Sequence, residues 1–138
     1  MKRITLITLV SLLVTAGLGL FGWQEAKVHY SQLVTDDVRD LGSRRPAKLT
    51  KEQWEVLIFW TNNDVGNCLP YAGMLDTRQF AQELHRRCAG PVDVHTIDWI
   101  WDEIARIVPR RGSYYSEQYR PTLPEHLKAL GVDPLPKD

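Results

Sequence analysis

The sequence predicts an all-α protein in which an N-terminal transmembrane helix and a stalk carry a small domain of three to four helices, stapled by a disulfide. Three observations lead there. Residues 4–23 form an apolar run without a charged side chain, apolar residues beyond Thr50 recur at helical spacing, and the two cysteines, Cys68 and Cys88, both follow the run. Of 138 residues, about 20 belong to the run and cannot enter a water-soluble core, so the remaining core is small.

At ~1.5 Å per residue the run covers roughly the 30 Å of a bilayer's hydrocarbon layer. Lys2 and Arg3 precede it, in an N-terminus of residues 1–3. The next twenty residues hold two cations, Lys27 and Arg39, against four acids. That asymmetry keeps the N-terminus in the cytoplasm and sends the domain to the periplasmic side of a cell inner membrane, with Arg44, Arg45 and Lys48 weakening the bias. A cleaved signal peptide competes, because Val14-Thr15-Ala16 offers the small residues that a signal peptidase inspects. Cleavage there would expose an apolar start at Gly17, which suits a soluble protein poorly. Trp23 ends the run where an interfacial aromatic is favoured.

Wound at ~100° per residue, Thr5, Thr8, Ser11, Thr15, Ala16, Gly19 and Gly22 share one arc, while Leu6, Ile7, Leu9, Val10, Leu13, Val14, Leu20 and Phe21 lie opposite; Ile4 and Leu12 intrude on the small arc and Gly17 sits off it. Small residues let helix backbones approach closely, so Thr8, Ser11, Thr15, Gly19 and Gly22 are expected to pack on another membrane helix. Ser, Thr and Gly are also common in export signals, and that alternative stands beside the first.

Residues 24–45 read as a stalk and hinge. The stalk is a polar helix that keeps Ala26, Val28, Leu33, Val34, Val38 and Leu41, and Gly42-Ser43-Arg44-Arg45-Pro46 breaks it. The domain then occupies residues 46–131. Its first helix opens on the capping box Thr50-Lys51-Glu52-Gln53, carries Trp54, Leu57, Ile58 and Thr61, and should end in the turn formers of residues 62–67. An irregular loop presents Cys68. A second helix, capped by Asp76, aligns Phe80, Leu84 and Cys88 and stops at Gly90-Pro91. The third, over residues 96–108, has Ile97, Ile100, Trp101, Ile104, Ile107 and Val108 on one face, with Asp102 four residues before Arg106 on the other. A short fourth helix over residues 122–130 opens on Thr122-Leu123-Pro124-Glu125, and residues 132–138 form a flexible tail.

An exported domain lies in an oxidising compartment, and a Cys68–Cys88 bridge would close a loop of 21 residues, contributing roughly 3 kcal/mol on the chain-entropy estimate. Two isolated cysteines lack the CxxC spacing of zinc or redox sites. His85 near Glu83 and His95 near Asp98 suggest a metal or acid–base pair but match no ligand spacing, and His85 reads as solvated beside Arg86 and Arg87. No catalytic residue, metal ligand or cofactor is therefore expected. A Cys/His nucleophile would compete with the disulfide.

Seventeen basic residues balance 17 acidic ones, so no global field favours nucleic acid. Trp60 and Trp99 project from faces shared with charged residues, and Arg110, Arg111, Tyr114, Tyr115, Tyr119 and Arg120 cluster in one segment. These residue types are enriched at contact hot spots and are the expected partner-binding surface. The informative features are thus contact surfaces, which favours an accessory or regulatory subunit of a cell-envelope membrane complex, bound to a membrane protein partner and the lipid bilayer, with a homo-oligomer as a further possibility. A phage- or plasmid-encoded exclusion or lysis-control protein would share this architecture. A membrane-tethered extracytoplasmic enzyme is the third class.

Overall fold

The computed structural model describes the backbone of residues 2–108 and of positions 125, 128, 129 and 131, with side chains from Ile7 onward. Among these residues there are four helices, one 3-10 turn and no strand: α1 (Lys2–Leu41), α2 (Lys51–Cys68), η1 (Leu69–Tyr71), α3 (Met74–Cys88) and α4 (Val94–Ile107).

The apolar run and the stalk are one helix. α1 continues for 40 residues without a break, about 60 Å at 1.5 Å per residue. From Ile7 to Glu25 its residues are exposed, whereas Val34, Val38 and Leu41 in its C-terminal half are fully buried. Val34, Val38 and Leu41 stand at i, i+4 and i+7, which makes one stripe that packs against α3 and α2. Residues 30–41 are therefore the first helix of the bundle rather than a free-standing stalk. Gly42 ends α1 where a Cβ would meet the Arg39 carbonyl oxygen at 3.0 Å, and the orphan Leu41 carbonyl accepts the Trp54 indole N–H at 3.0 Å.

The helices alternate in direction. α2 starts beside the end of α1 at the Trp54–Leu41 bond and returns to Lys27, whose ammonium donates to the Pro70 carbonyl at 2.8 Å. α3 runs back up, so His85 near its end meets Asp37 at 3.1 Å. Arg44 then caps α3 by donating to the Cys88 and Gly90 carbonyls. α4 descends again and brings Arg106 to within 3.9 Å of Asp76 at the start of α3. Trp54, Leu57, Phe80, Leu84, Ile97, Ile100 and Ile104 fill the space between. A polar link joins α2 and α4 inside this core: Thr61 donates to the Leu57 carbonyl at 2.8 Å and accepts the Trp101 indole N–H at 2.9 Å.

Local signals set the helix starts. Thr50 and Gln53 form the reciprocal capping box, and Asp93 caps α4 by accepting from the Thr96 amide at 3.1 Å, two residues earlier than its periodicity predicts. Residues 62–67 continue α2 instead of ending it, because Asp64, Val65 and Cys68 are buried against the bundle and tertiary packing outweighs weak helix propensity. Helix α3 starts at Met74 behind Gly73, ahead of Asp76.

The disulfide is not formed. Cys68 and Cys88 are both free and buried, and they are not within bridging distance. The residues after Cys68 coil into η1, so α3 starts six residues after Cys68, and its axis of about 21 Å carries Cys88 to its other end. The Cys68 thiol instead meets Asp64 at 3.5 Å. Of the expected fourth helix, Glu125, Lys128 and Ala129 have helical backbone; the remainder of that segment and the 132–138 tail lie outside the described residues.

Candidate interaction surfaces

The first surface is the free half of α1. One N-terminal helix is long and apolar enough to span a membrane, and its apolar window has no buried residue. Thr8, Ser11, Thr15, Gly19 and Gly22 are all exposed there, and around Gly17, Gly19 and Gly22 an added Cβ would meet open space. Thr15 donates its hydroxyl to the Ser11 carbonyl at 2.8 Å, which satisfies the proton inside the helix as an apolar surrounding requires. What remains outward is a strip of small residues, bordered by the exposed Leu12, along which a second backbone can approach.

The second surface lies on α2. Trp60 is 39% exposed and packs edge-on against Phe59, which is 64% exposed, with their ring centroids 5.6 Å apart. Val56 extends the stripe, so Val56, Phe59 and Trp60 form an apolar strip on the side of α2 away from the core. Of this strip only Trp60 is expected from the sequence, where the Trp54–Leu57–Thr61 face dominates the helical pattern. The i, i+3, i+4 spacing of Val56, Phe59 and Trp60 was the available signal. Trp99, by contrast, is half-buried: Phe80 packs on it at 5.4 Å and the Arg87 guanidinium sits 4.3 Å above its ring, so its apolar face is already in use. Arg110, Arg111, Tyr114, Tyr115, Tyr119 and Arg120 lie outside the described residues.

A third feature is an open groove of about 480 Å³ just above the apolar half of α1, lined by Gln24, Lys27, Val28, Ser31, Gln32, Thr35 and Pro70. The Lys27–Pro70 hydrogen bond forms one edge and closes the angle between α1 and η1.

The titratable groups serve mainly to fasten the bundle. His85 pairs with Asp37 across α3 and α1, while Glu83 is taken by Arg86 at 2.8 Å and Arg87 at 2.8 Å. The Arg86 hydrogen bond, followed by the Arg86 charge and Arg87, holds the Glu83 carboxyl down to about 2. Arg106 bonds Glu103 at 3.0 Å and reaches Asp76, leaving the predicted Asp102 pairing unused. Burial, helped by Asp102 and opposed by His95, raises Asp98 above the usual carboxylate range. Burial and the Asp37 charge push the Cys88 thiol up to about 11, which makes it a poor nucleophile. No group of three or more His, Cys, Asp or Glu side chains converges on a metal position among the described residues. No protein-family model, curated protein or solved structure matches this chain.

Proposed function

We propose that the chain is a single-pass membrane protein that serves as an accessory or regulatory subunit of a cell-envelope membrane complex. It binds a membrane protein partner through the Thr8–Ser11–Thr15–Gly19–Gly22 face and the Val56–Phe59–Trp60 strip. The observation that carries this reading is the division of labour within α1: one half builds the bundle core, while the other, described from Ile7 onward, is apolar and has no buried residue. An uncovered apolar helix of that length is costly in water and needs lipid and neighbouring helices around it. Lys2 and Arg3 before the span, against Glu25, Asp36, Asp37 and Asp40 after it, favour an extracytoplasmic bundle at the inner membrane. With the cysteines unbridged, this charge asymmetry is the argument for orientation.

The test is extraction of the full chain from its own membranes in mild detergent. The proposal expects a membrane protein to co-purify in fixed ratio, to be lost with Thr15→Leu or Gly19→Leu, and to be retained with Leu9→Phe on the opposite arc. Solitary behaviour of the native chain, or equal association across all three variants, would refute it.

A further inference from the structure

The geometry points to a second membrane contact: we infer that the membrane-proximal end of the bundle, η1 with the first turn of α3, rests in the lipid headgroup layer through Tyr71, Met74 and Leu75. This rests on the proposed membrane span of α1 and specifies how the bundle sits on the bilayer that α1 crosses.

The height of these residues follows from the helices. Trp23 closes the apolar run, and Lys27 is one turn above it, about 6 Å along the axis. The Lys27–Pro70 hydrogen bond ties η1 to that level. An independent register agrees: Trp54 is level with Leu41 through its indole bond, and Cys68 and Lys27 each lie fourteen residues lower on α2 and α1. The polar layer of a bilayer is about 5–8 Å thick on each side, so η1 falls within it when α1 stands upright. The bundle is displaced from the α1 axis by one helix spacing of about 10 Å, and an ordinary tilt of ~20° towards it lowers η1 by a further ~3 Å.

The side chains at that end suit the layer. Leu75 is 60% exposed and Tyr71 45%, with Met74 half-buried between them, whereas the turns at the opposite end of the bundle expose Ser43, Arg45, Lys48 and Ala89. A tyrosine places an apolar ring and a polar tip where lipid tails meet headgroups, and leucine gains by leaving water. The one acid in the first turn of α3, Asp76, is within 3.9 Å of Arg106, so its charge is paired. Because α1 has no hinge between span and bundle, the contact needs no ordering of a flexible stalk.

The experiment places single nitroxide labels on the full chain, one chain per nanodisc of phosphatidylcholine and phosphatidylglycerol, with Cys68→Ala and Cys88→Ala removing the native thiols. Collision with lipid-dissolved oxygen and with a water-soluble nickel reagent is read at Leu13→Cys, Leu75→Cys, Phe59→Cys and Ala47→Cys. The inference expects oxygen to dominate at positions 13 and 75, nickel to dominate at 47 and 59, and position 75 to be shallower than 13. A lipid-exposed 13 with a water-exposed 75 overturns the docking alone; a water-exposed 13 overturns the span as well. Protection of 75 only in discs holding two chains also overturns it, in favour of a second copy. If the thiol-free background loses its helical signal, hydroxyl-radical footprinting of the unmodified chain in the same discs replaces the labels. Slow oxidation of Tyr71 and Met74 beside rapid oxidation of Phe59 and Trp60 is then expected, and equal rates refute the contact.

Discussion

Val38→Ala, set against Val28→Ala on the same helix, tests whether the second half of α1 is core or stalk. Val38 is fully buried and Val28 is 68% exposed, yet they lie ten residues apart in one regular helix. Removing two buried methyl groups costs about 1.6 kcal/mol in transfer free energy, and the cavity left behind brings this to about 2.5 kcal/mol. Alanine is the better helix former by about 0.6 kcal/mol, which leaves a net loss of about 2 kcal/mol at Val38 and a slight gain at Val28. In a bundle of this size, 2 kcal/mol lowers the midpoint by roughly 10 °C. The assay is thermal melting of the full chain in nanodiscs, followed by near-UV circular dichroism of its tryptophans, since Trp54 and Trp101 report the core directly. The expected result is a fall for Val38→Ala and no fall for Val28→Ala. Equal midpoints for the two variants would falsify the assignment of residues 30–41 to the bundle.

Thr61→Val keeps the side-chain shape but strands the buried Trp101 N–H, at a cost of about 1–3 kcal/mol. The same change in a Trp101→Phe background should cost much less, and a double-mutant cycle showing no coupling would refute the link. Quantitative thiol labelling should find two free thiols per chain in denaturant. In the folded chain, Cys88 with its pKa near 11 is about one-thousandth thiolate at pH 8, so its alkylation rate should rise about tenfold per pH unit up to pH 10, and a plateau below pH 9 would contradict this. The Glu83 carboxyl is depressed from 4.5 to about 2, so its pairing with Arg86 stabilises the fold above pH 4.5 and stops doing so as the pH falls to 2. Glu83→Gln should therefore lower the midpoint slightly at pH 6 and leave it unchanged at pH 2. Alanines inserted after Glu25 rotate the span against the bundle by about 100° each. Partner association should drop with one or two inserted residues and recover in part with four, and uniform tolerance would show that the two surfaces act separately.

What was legible in the sequence was local. Thr50 and Gln53 announce the start of α2 because a capping box is complete within four residues, and Ile97, Ile100, Trp101 and Ile104 declare α4 because its buried face is so strongly apolar. The exposed Trp60 was readable for the same reason. Features that depend on a partner from another element were not. Val34, Val38 and Leu41 form a clear stripe, but only α3 and α2 packing against it turn a stalk into a core helix. Trp99 shares its helix with charged residues, yet Phe80 and Arg87 of α3 cover it. Arg44 reads as a hinge cation and is a helix cap, because its acceptors lie more than forty residues away. The disulfide failed on distance: spacing bounds how far a loop can reach, and the chain folded the loop into η1 instead.

The unbroken α1 also sets how contact surfaces are combined. From Trp23 to Leu41 the helix rises about 27 Å, so a tilt of ~20° moves the top of the bundle sideways by about 9 Å, and a twist of the span turns the bundle by the same angle. At ~100° per residue, the arc of Thr8, Ser11, Thr15, Gly19 and Gly22 points roughly opposite to the groove formed by Gln24, Val28, Ser31, Gln32 and Thr35, and about a quarter turn from the stripe Val34, Val38 and Leu41. A helix packed on the small arc therefore cannot enter the groove, but its end emerges next to the bundle. A single partner can engage both the span and the bundle at fixed separation, and the second contact then forms without a further loss of translational freedom. A flexible stalk of the same length would scatter the bundle over many orientations and forfeit that gain.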